Sequence, residues 1–324
     1  MKVAVTGAAG YLGTNLIPLL VERGHEVVAI DRVAPTIDDP AVSWIDGDVL
    51  NPVSMRAALT GVEVVYHLVA LITLAERNDL AWRVNTEGVR VTAEAALASG
   101  VRRFVHTSSI HAFDQYRAHG HIDEKSGRSD DPSLPVYDRS KWSGELALRP
   151  VIEQGLDAVI VNPTGVYGPA DNLERLSRLN STVAQAMRGR IPVMIGGGFD
   201  LVDVRDVALG LILAGEKGRT GENYLLGGEM ITMLDLCRMA AARTGAQGPR
   251  FAIPAKWLGA LLPVLEPISR RLGSDILSKA ALGALISAPI VDHGKAEREL
   301  GYRPRPTAET VDDLVDFLRA PRQA

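Results

Sequence analysis

The sequence predicts an α/β fold, in which a doubly wound parallel sheet is followed by a smaller, mostly helical C-terminal lobe. Three features predict this class. Short β-branched runs alternate with longer helical patterns through the first half, those runs are almost continuously apolar, and glycine and proline become frequent after Pro163. Strands separated by helices imply right-handed crossovers and a parallel sheet, and apolar strands are typical of sheets that helices cover on both faces.

The predicted elements alternate regularly along the first half of the chain. Short runs rich in valine and isoleucine predict strands, and longer segments with apolar residues on one face predict helices. The predicted strands are Lys2–Thr6, Glu26–Ile30, Val42–Ile45, Glu63–His67, Arg103–Thr107 and Asp157–Val161. The predicted helices are Tyr11–Arg23, Pro52–Thr60, Leu80–Ala98 and Val136–Gln154.

A change of pattern after residue 165 divides the chain into two parts. Glycine and proline become denser there, and helical patterns dominate from Ile231 to the end. We expect residues 1–165 to form the sheet domain, with residues 201–228 returning to it. Residues 166–200 and 229–324 are expected to form the smaller lobe.

The composition is that of an ordinary globular protein, and it excludes several classes of function. The chain has 324 residues, of which 46% are hydrophobic and 23% charged, with a formal net charge of −4. This balance gives no electrostatic basis for binding nucleic acid or an anionic membrane. The single cysteine, Cys237, excludes an intramolecular disulfide and a cysteine-based zinc site. No metal site is expected.

The uncharged segment 3–21 raises the question of a membrane helix or signal peptide. Gly7, Gly10 and Gly13 interrupt it, and only Lys2 is basic ahead of it. A strand, a turn and a helix are therefore predicted instead. We expect a cytoplasmic protein without an integral membrane segment.

A glycine-rich turn joins the first strand to the first helix. It reads Thr6-Gly7-Ala8-Ala9-Gly10-Tyr11-Leu12-Gly13. Such a turn must reverse tightly, let the backbone approach a pyrophosphate and pack the helix on the sheet, and each demand excludes a Cβ atom. Free N–H groups at the start of the helix then attract the phosphates. The turn predicts a Rossmann fold that binds a dinucleotide at Gly7, Gly10, Tyr11, Leu12 and Gly13.

Acidic residues after the second and third strands refine the choice of dinucleotide. Asp31 stands where a carboxylate accepts hydrogen bonds from both ribose hydroxyls of NAD and repels the extra phosphate of NADP. The adjacent Arg32 could instead bind that phosphate, so NAD is favoured and NADP stays open. Asp48 is placed either to meet the adenine amine or to form a turn, and Val49 is assigned to the same cofactor site.

Tyr137 and Lys141 lie one helical turn apart at the start of a predicted helix. Because positions i and i+4 share a helix face, the phenol and the ammonium are held together. A tyrosine with its ordinary pKa of about 10 is a poor acid–base group at neutral pH, and a nearby lysine is expected to lower that pKa. Ser109 lies at the C-terminal end of a predicted strand, the edge where doubly wound sheets bind ligands. Its hydroxyl can bind a substrate oxygen and orient the tyrosine.

In these residues the chain resembles the extended short-chain dehydrogenase/reductase family, which includes NAD-dependent epimerases and dehydratases. The resemblance covers nearly the whole chain. Besides the glycine turn, the matching motifs are His67-Leu68-Val69-Ala70, Asn85-Thr86-Glu87-Gly88, Thr107-Ser108-Ser109, Tyr137 to Lys141, Asn162-Pro163-Thr164-Gly165-Val166-Tyr167-Gly168-Pro169, Val202-Asp203-Val204-Arg205-Asp206-Val207 and Lys295-Ala296-Glu297-Arg298-Glu299-Leu300-Gly301-Tyr302. The triplet Asn162-Pro163-Thr164 is similar to the dihydroflavonol-reductase and 3β-hydroxysteroid-dehydrogenase branch.

The resemblance implies a role for each matching residue. Ser109 corresponds to the catalytic hydroxyl, Tyr137 to the acid–base residue, and Lys141 to the group that binds the nicotinamide ribose and tunes the tyrosine. Further cofactor contacts are implied for Leu68, Val69, Ala70 and Pro163. The sheet domain would then bind the dinucleotide, and the smaller lobe would bind a small-molecule substrate. A homodimer is implied through the helix Leu80–Ala98 and the helix that carries Tyr137.

The family contains both carbonyl reductases and nucleotide-sugar epimerases, and two departures favour the former. Sugar-nucleotide enzymes resemble one another in an arginine at a position that falls near Phe199 here, in Gly197-Gly198-Phe199-Asp200, and usually in an asparagine where this chain has Gly165. Without that arginine a diphosphate lacks its bidentate partner. The arginines nearby in sequence that could substitute are Arg175, Arg178, Arg188 and Arg190. We expect an NAD(P)-dependent oxidoreductase that interconverts an alcohol and a carbonyl on a small organic substrate, with a nucleotide-sugar epimerase/dehydratase as the alternative.

Overall fold

The computed structural model describes residues 1–34, 37–73, 75–118, 120–174, 176–255, 257, 283, 285, 287 and 289–320. The strands in this part of the chain are Lys2–Thr6 (β1), Glu26–Asp31 (β2), Val42–Asp46 (β3), Val64–His67 (β4), Arg103–Thr107 (β5), His121–Ile122 (β6), Ala158–Pro163 (β7), Gly165–Tyr167 (β8), Met194–Ile195 (β9), Gly198–Asp203 (β10), Asn223–Leu226 (β11), Glu229–Thr232 (β12), Ala252–Ile253 (β13) and Ile290–Val291 (β14). The α-helices are Tyr11–Glu22 (α1), Pro52–Ala58 (α2), Asp79–Ala98 (α3), Val136–Glu153 (α4), Arg178–Ala186 (α5), Val204–Lys217 (α6), Met233–Thr244 (α7), Gly294–Leu300 (α8) and Thr307–Arg319 (α9).

A seven-stranded sheet in the order β11-β7-β5-β4-β1-β2-β3 forms the centre of the molecule. Every neighbouring pair in it is parallel. The chain builds one half outward from β1 through β2 to β3, and then returns to β4 on the other side of β1. The carboxyl ends of β1 and β4 therefore border the crevice in which sheets of this kind bind their ligands.

Helices cover both faces of this sheet because its side chains alternate between two cores. Val3 and Val5 of β1 point to a core formed with α1 and α6, which contains Leu16. Ala4, between them, points to a second core formed with α2, α3 and α4, which contains Met55. This alternation follows the period of two along a strand. It confirms the prediction of a doubly wound sheet.

A smaller group of elements packs beside the carboxyl edge of the sheet. Strand β10 pairs with β8 in parallel and with β12 in the antiparallel direction. Helices α5, α7 and α9 share a core with this small sheet, and Tyr167, Leu201 and Leu236 are buried in it. The residues after β10 lead back to the main sheet, since α6 packs on α1 and β11 forms the edge next to β7.

The predicted strands and helices of the first half are present, and their ends agree to within a few residues. The short strands β6, β8, β9, β11, β12, β13 and β14 were not predicted. Most of the range 256–288, on which part of the predicted helical lobe falls, lies outside the described residues. Among the residues that are described, no helix combines the length and the apolar character needed to cross a membrane.

Candidate active site

The glycine turn has the geometry of a dinucleotide cradle. Gly7 adopts a left-handed φ of +75°, and a Cβ atom placed on it would lie 3.1 Å from the backbone nitrogen of Val69. A Cβ atom on Gly13 would lie 2.5 Å from the carbonyl oxygen of Gly7, so only glycine lets α1 pack this closely on the turn. Gly10 caps α1 without a side-chain hydrogen bond to the first helical N–H groups. Those N–H groups can therefore hold a pyrophosphate.

The side chain of Tyr11 connects this turn to the loop after β8. Its hydroxyl donates a hydrogen bond of 2.6 Å to the carbonyl oxygen of Gly168. The Asn180 amide donates to the same oxygen at 2.8 Å and to Asp171 Oδ2 at 2.8 Å. Burial raises the pKa of Tyr11 well above its ordinary value, so this phenol stays protonated. The first turn of α1 and the loop 168–171 are thus held together by buried hydrogen bonds.

Asp31 lies at the end of β2, where its carboxylate meets the turn. Oδ2 accepts a hydrogen bond of 3.0 Å from the backbone nitrogen of Ala9, and Oδ1 accepts one of 2.7 Å from that of Arg32. Asp31 is half-buried, whereas Arg32 is exposed. A carboxylate in this position suits the ribose hydroxyls of NAD and opposes an added phosphate.

The other predicted cofactor residues follow β3, β4 and β7. Asp48 is exposed, and its Oδ1 accepts a hydrogen bond of 2.9 Å from the backbone nitrogen of Leu50. Of the two roles considered for Asp48, this contact corresponds to forming a turn. Val49 is buried in the core beneath it. Leu68, Val69 and Ala70 follow β4 and are partly exposed, directly opposite Gly7. Pro163 ends β7 and is buried.

Ser109, Tyr137 and Lys141 come from two elements that meet at the carboxyl edge of the sheet. Ser109 follows β5 directly, and Tyr137 and Lys141 lie on the first turns of α4. The hydroxyl of Ser109 lies close enough to Tyr137 to influence the pKa of its phenol. The ammonium of Lys141 donates a hydrogen bond of 2.9 Å to the carbonyl oxygen of Thr107, at the end of β5. The structure therefore brings the three predicted side chains together.

Burial dominates the protonation of this group. It raises the pKa of Tyr137 to about 12, although the neighbouring Ser109 hydroxyl opposes the rise, and the charge of Asp138 adds to it. Burial also lowers the pKa of Lys141 to about 8, although the charge of Glu145 opposes that change. The expectation that Lys141 lowers the pKa of Tyr137 is wrong for this structure. Desolvation of the phenol outweighs other effects, and the ammonium is bound to a backbone oxygen.

A buried carboxylate lies behind these side chains. Glu145, one helical turn after Lys141, accepts hydrogen bonds of 2.6 Å from Ser108 and 2.7 Å from Asn162 on Oε1. Its Oε2 accepts one of 3.0 Å from Asn223 and one of 3.3 Å from Arg128. These contacts tie α4 to β5, β7 and β11, so they fix the helix that carries the proposed acid–base residues. Sequence reasoning missed this network, and the only available signal was the spacing of Glu145 from Lys141.

A second pair lies on the other side of Tyr137. His111 belongs to a one-turn 3₁₀-helix, Ile110–Ala112, that follows Ser109. Its Nδ1 lies 2.8 Å from Oδ1 of the buried Asp138. The imidazole also meets the ring of Tyr137 edge-on, with 5.2 Å between the ring centroids. Sequence reasoning did not identify this pair.

A mostly apolar cleft opens next to these side chains, and we call it the apolar cleft. Residues that line it include Ile110, His111, Thr164, Gly165, Phe199 and Val291. Two of these residues bear on the choice of substrate, because the expected arginine position falls near Phe199 and the expected asparagine position is Gly165. Of the four arginines that could substitute, Arg175 lies outside the described residues. The other three, Arg178, Arg188 and Arg190, are exposed and do not line this cleft. Across the described chain, no cluster of three or more acidic, histidine or cysteine side chains could hold a metal ion.

Comparison with known proteins identifies the family. The sequence model of the NAD dependent epimerase/dehydratase family matches residues 3–227. Sterol demethylase protein B of Methylococcus capsulatus is 34% identical over 98% of both chains. The dTDP-glucose 4,6-dehydratase of Streptomyces antibioticus is 30% identical over 98% of this chain and 92% of its own. The 3-beta-hydroxysteroid dehydrogenase of Mycolicibacterium neoaurum is 28% identical over 95% of this chain and 88% of its own.

A solved structure shares the fold described above. The crystal structure of gox2253 is 31% identical, covers 98% of both chains and superposes with a TM-score of 0.83. The family match confirms the resemblance that the sequence motifs indicated. It also confirms, for the family, the prediction that the cofactor is NAD. Both the sequence and the arrangement of the glycine turn lead to one conclusion: this chain belongs to the NAD dependent epimerase/dehydratase family.

Proposed function

We propose that this chain is an NAD-dependent dehydrogenase/reductase that interconverts a secondary alcohol and a ketone on an apolar ring compound. One observation carries the proposal. The neighbouring hydroxyls of Ser109 and Tyr137, with Lys141 bound to Thr107, lie at the sheet edge beside the apolar cleft. The names of two relatives, a sterol demethylase component and a hydroxysteroid dehydrogenase, support a ring compound of this kind.

The residues of the crevice fit NAD. Gly7, Gly10 and Gly13 leave room where a Cβ atom would collide, α1 offers free N–H groups, and Asp31 would meet the ribose. Tyr137, Lys141 and Pro163 would border the nicotinamide end. When bound, the nicotinamide supplies the exchange of hydride with the reacting carbon.

The chain's own residues handle the oxygen of the substrate. Ser109 donates a hydrogen bond to the ketone oxygen, and Tyr137 delivers the proton that turns the developing alkoxide into an alcohol. A Tyr137 pKa of about 12 keeps the phenol protonated at neutral pH, which is the form that reduction needs. Lys141 remains an ammonium below its pKa of about 8, and its positive charge stabilises negative charge on the neighbouring oxygens. Oxidation of the alcohol uses the same groups in reverse.

The alternative is a nucleotide-sugar epimerase or dehydratase. The family name and the dTDP-glucose 4,6-dehydratase among the relatives favour it. Phe199 argues against it, because an apolar ring in β10 cannot bind a diphosphate. Among the described residues that line the apolar cleft, none is an arginine that could take its place.

Two substrates distinguish these functions. Purified protein is incubated with NAD and either pregnenolone, a steroid with a secondary alcohol, or UDP-glucose. Net formation of NADH with pregnenolone, abolished in Tyr137→Phe, supports the dehydrogenase. Conversion of UDP-glucose to another sugar nucleotide without net NADH, and no reaction with pregnenolone, overturns it in favour of the alternative.

We also propose the division into a dinucleotide-binding domain and a substrate-binding lobe, and a homodimer formed through α3 and α4. These two helices pack on each other and expose Leu80 and Leu146. Light scattering on a size-exclusion column measures the mass in solution. A monomer mass would reject the dimer.

A further inference from the structure

No step has been assigned to the pair His111–Asp138, although the charge of Asp138 adds to the rise in the pKa of Tyr137. Asp138 directly follows Tyr137 on α4, and its carboxylate is only 6% exposed. A buried carboxylate requires a hydrogen-bonding partner, and His111 supplies one at 2.8 Å. Yet 32% of the His111 side chain is exposed, so the imidazole is bound at one end and open at the other.

The contact with Asp138 sets the tautomer of His111. An ionised carboxylate only accepts hydrogen bonds, so Nδ1 carries the proton and Nε2 of the neutral ring keeps a free lone pair. The Gln115 amide nitrogen lies 3.3 Å from Nδ1, but a protonated Nδ1 cannot accept from it. Within the described chain, Nε2 has no hydrogen-bond partner. A carboxylate-held imidazole with a free Nε2 is the arrangement of a general base.

The backbone holds His111 rigidly beside the proposed reaction site. Its nitrogen donates a hydrogen bond of 3.2 Å to Ser109 Oγ, and its carbonyl oxygen accepts one of 2.8 Å from Ser129. His111 lines the apolar cleft and touches Tyr137 edge-on. A substrate whose carbonyl oxygen binds Ser109 and Tyr137 would therefore place the neighbouring carbon atoms near the imidazole.

We propose that His111, oriented by Asp138, is a second acid–base residue that moves a proton on the carbon next to the substrate carbonyl. The inference rests on the proposed function. Nε2 removes a proton from that carbon, and the C–H electron pair forms an enolate whose oxygen Ser109 and Tyr137 hold. In a substrate whose deprotonated carbon is bonded to a carbon–carbon double bond, the imidazolium returns the proton to the more distant carbon of that double bond. The double bond thereby shifts into conjugation with the carbonyl. No electrons are gained or lost in this isomerisation.

Pregnenolone tests both steps at once, because one CH₂ group separates its alcohol carbon from a double bond. Dehydrogenation is followed by NADH, and isomerisation by the conjugated ketone after chromatographic separation. The unconjugated ketone, supplied directly, isolates proton transfer from hydride transfer. The variants are His111→Gln and Asp138→Asn, with His121→Gln as the control because His121 is exposed on β6.

We expect His111→Gln to lower the rate of isomerisation of the unconjugated ketone by roughly 100-fold or more, and by a much larger factor than it lowers the rate of NADH formation. Asp138→Asn should lower the rate of isomerisation by a smaller factor. His121→Gln should match the wild type in the rates of both steps. A wild type that forms NADH without catalysing isomerisation overturns this inference alone. The inference is also overturned if His111→Gln lowers the rates of dehydrogenation and isomerisation by the same factor, or lowers neither rate. A wild type that forms no NADH overturns the proposed function, and the inference with it.

Discussion

The carboxylate of Glu145 accepts a hydrogen bond of 2.6 Å from the hydroxyl of Ser108, the residue next to Ser109. This contact joins α4, which carries Tyr137 and Lys141, to the end of β5, which positions Ser109. The relative position of the three proposed catalytic side chains is therefore set by a buried charge that need not touch the substrate. Three other donors complete the carboxylate's hydrogen bonds, and one of them is the guanidinium of Arg128.

Glu145→Gln should destabilise the protein strongly. The amide NH₂ of glutamine would face donors instead of accepting from them, and Arg128, with 17% of its side chain exposed, would lose its countercharge. Removing one partner of a buried ion pair typically costs about 3–5 kcal/mol. Urea unfolding measures the loss.

The matched control for Glu145 is Glu87→Gln, which breaks an ion pair with Arg83 on the surface of α3. Surface substitutions of this kind usually change stability by less than about 0.5 kcal/mol. Equal stability of the two variants would contradict a structural role for the Glu145 network.

Tyr137→Phe should abolish turnover and leave the affinity for NADH nearly unchanged. The substitution removes only the hydroxyl that donates the proton, and such acid–base groups contribute about 10²–10⁴-fold. Steady-state rates and NADH fluorescence titration separate the two effects. A variant that keeps the wild-type rate would remove Tyr137 from the mechanism.

Lys141→Met should make the protein more stable than the wild type below pH 8, and this gain should shrink at higher pH. The folded wild type binds the Lys141 proton with a pKa of about 8, below the ordinary value of 10.5, so burying the ammonium opposes folding at low pH. Between these values the folded protein releases a proton that the unfolded chain retains, and wild-type stability rises with pH. The gain at neutral pH is on the order of a few kcal/mol.

Urea unfolding of the wild type and Lys141→Met across this pH range checks the sign. A stability difference that does not change with pH would show that Lys141 is not buried as an ammonium. A difference that widens with rising pH would reverse the direction of the pKa shift.

Gly13→Ala should weaken NADH binding by at least about tenfold and lower the melting temperature. The new Cβ atom would lie 2.5 Å from the Gly7 oxygen and 2.6 Å from the Ala8 oxygen, and neither backbone atom can move without opening the turn. A tenfold change corresponds to about 1.4 kcal/mol. Gly127→Ala is the control, because a Cβ atom there meets nothing within 4 Å. NADH affinity of Gly13→Ala equal to that of the control would refute the cradle.

Asp31→Asn should narrow the preference for NADH over NADPH. The carboxylate repels the extra phosphate of NADPH, whereas an amide does not, and Arg32 beside it becomes free to attract that phosphate. We expect the ratio of the two dissociation constants to fall by about tenfold. An unchanged ratio would mean that Asp31 does not select the cofactor.

The strands and the glycine turn could be predicted because their signals are local. The residues 3–13 contain a strand, a turn and a helix start in order, and the structure reproduces each. The spacing of Tyr137 and Lys141 likewise needs only the helical period. The short strands of the second lobe could not be predicted, since β10 pairs with β8 and β12, and neither partner can be read from a short run of residues.

The Glu145 network and the pKa of Tyr137 could not be predicted for a related reason. Asn162 and Asn223 converge on Glu145 only because β7 and β11 become neighbours in the sheet. The direction of the Tyr137 shift depends on how deeply the phenol is buried, and the amount of burial is a property of the whole fold. The same limit applies to His111, whose partner Asp138 is far away in sequence.

The hydrogen bond from Tyr11 to Gly168 has a consequence for protein engineering. Because it crosses from α1 to the segment that leads into α5, the two halves of the molecule are not independent modules. A chimera that takes its second half from a relative should be built as a matched set, with Tyr11, Asn180 and Asp171 all from the same parent.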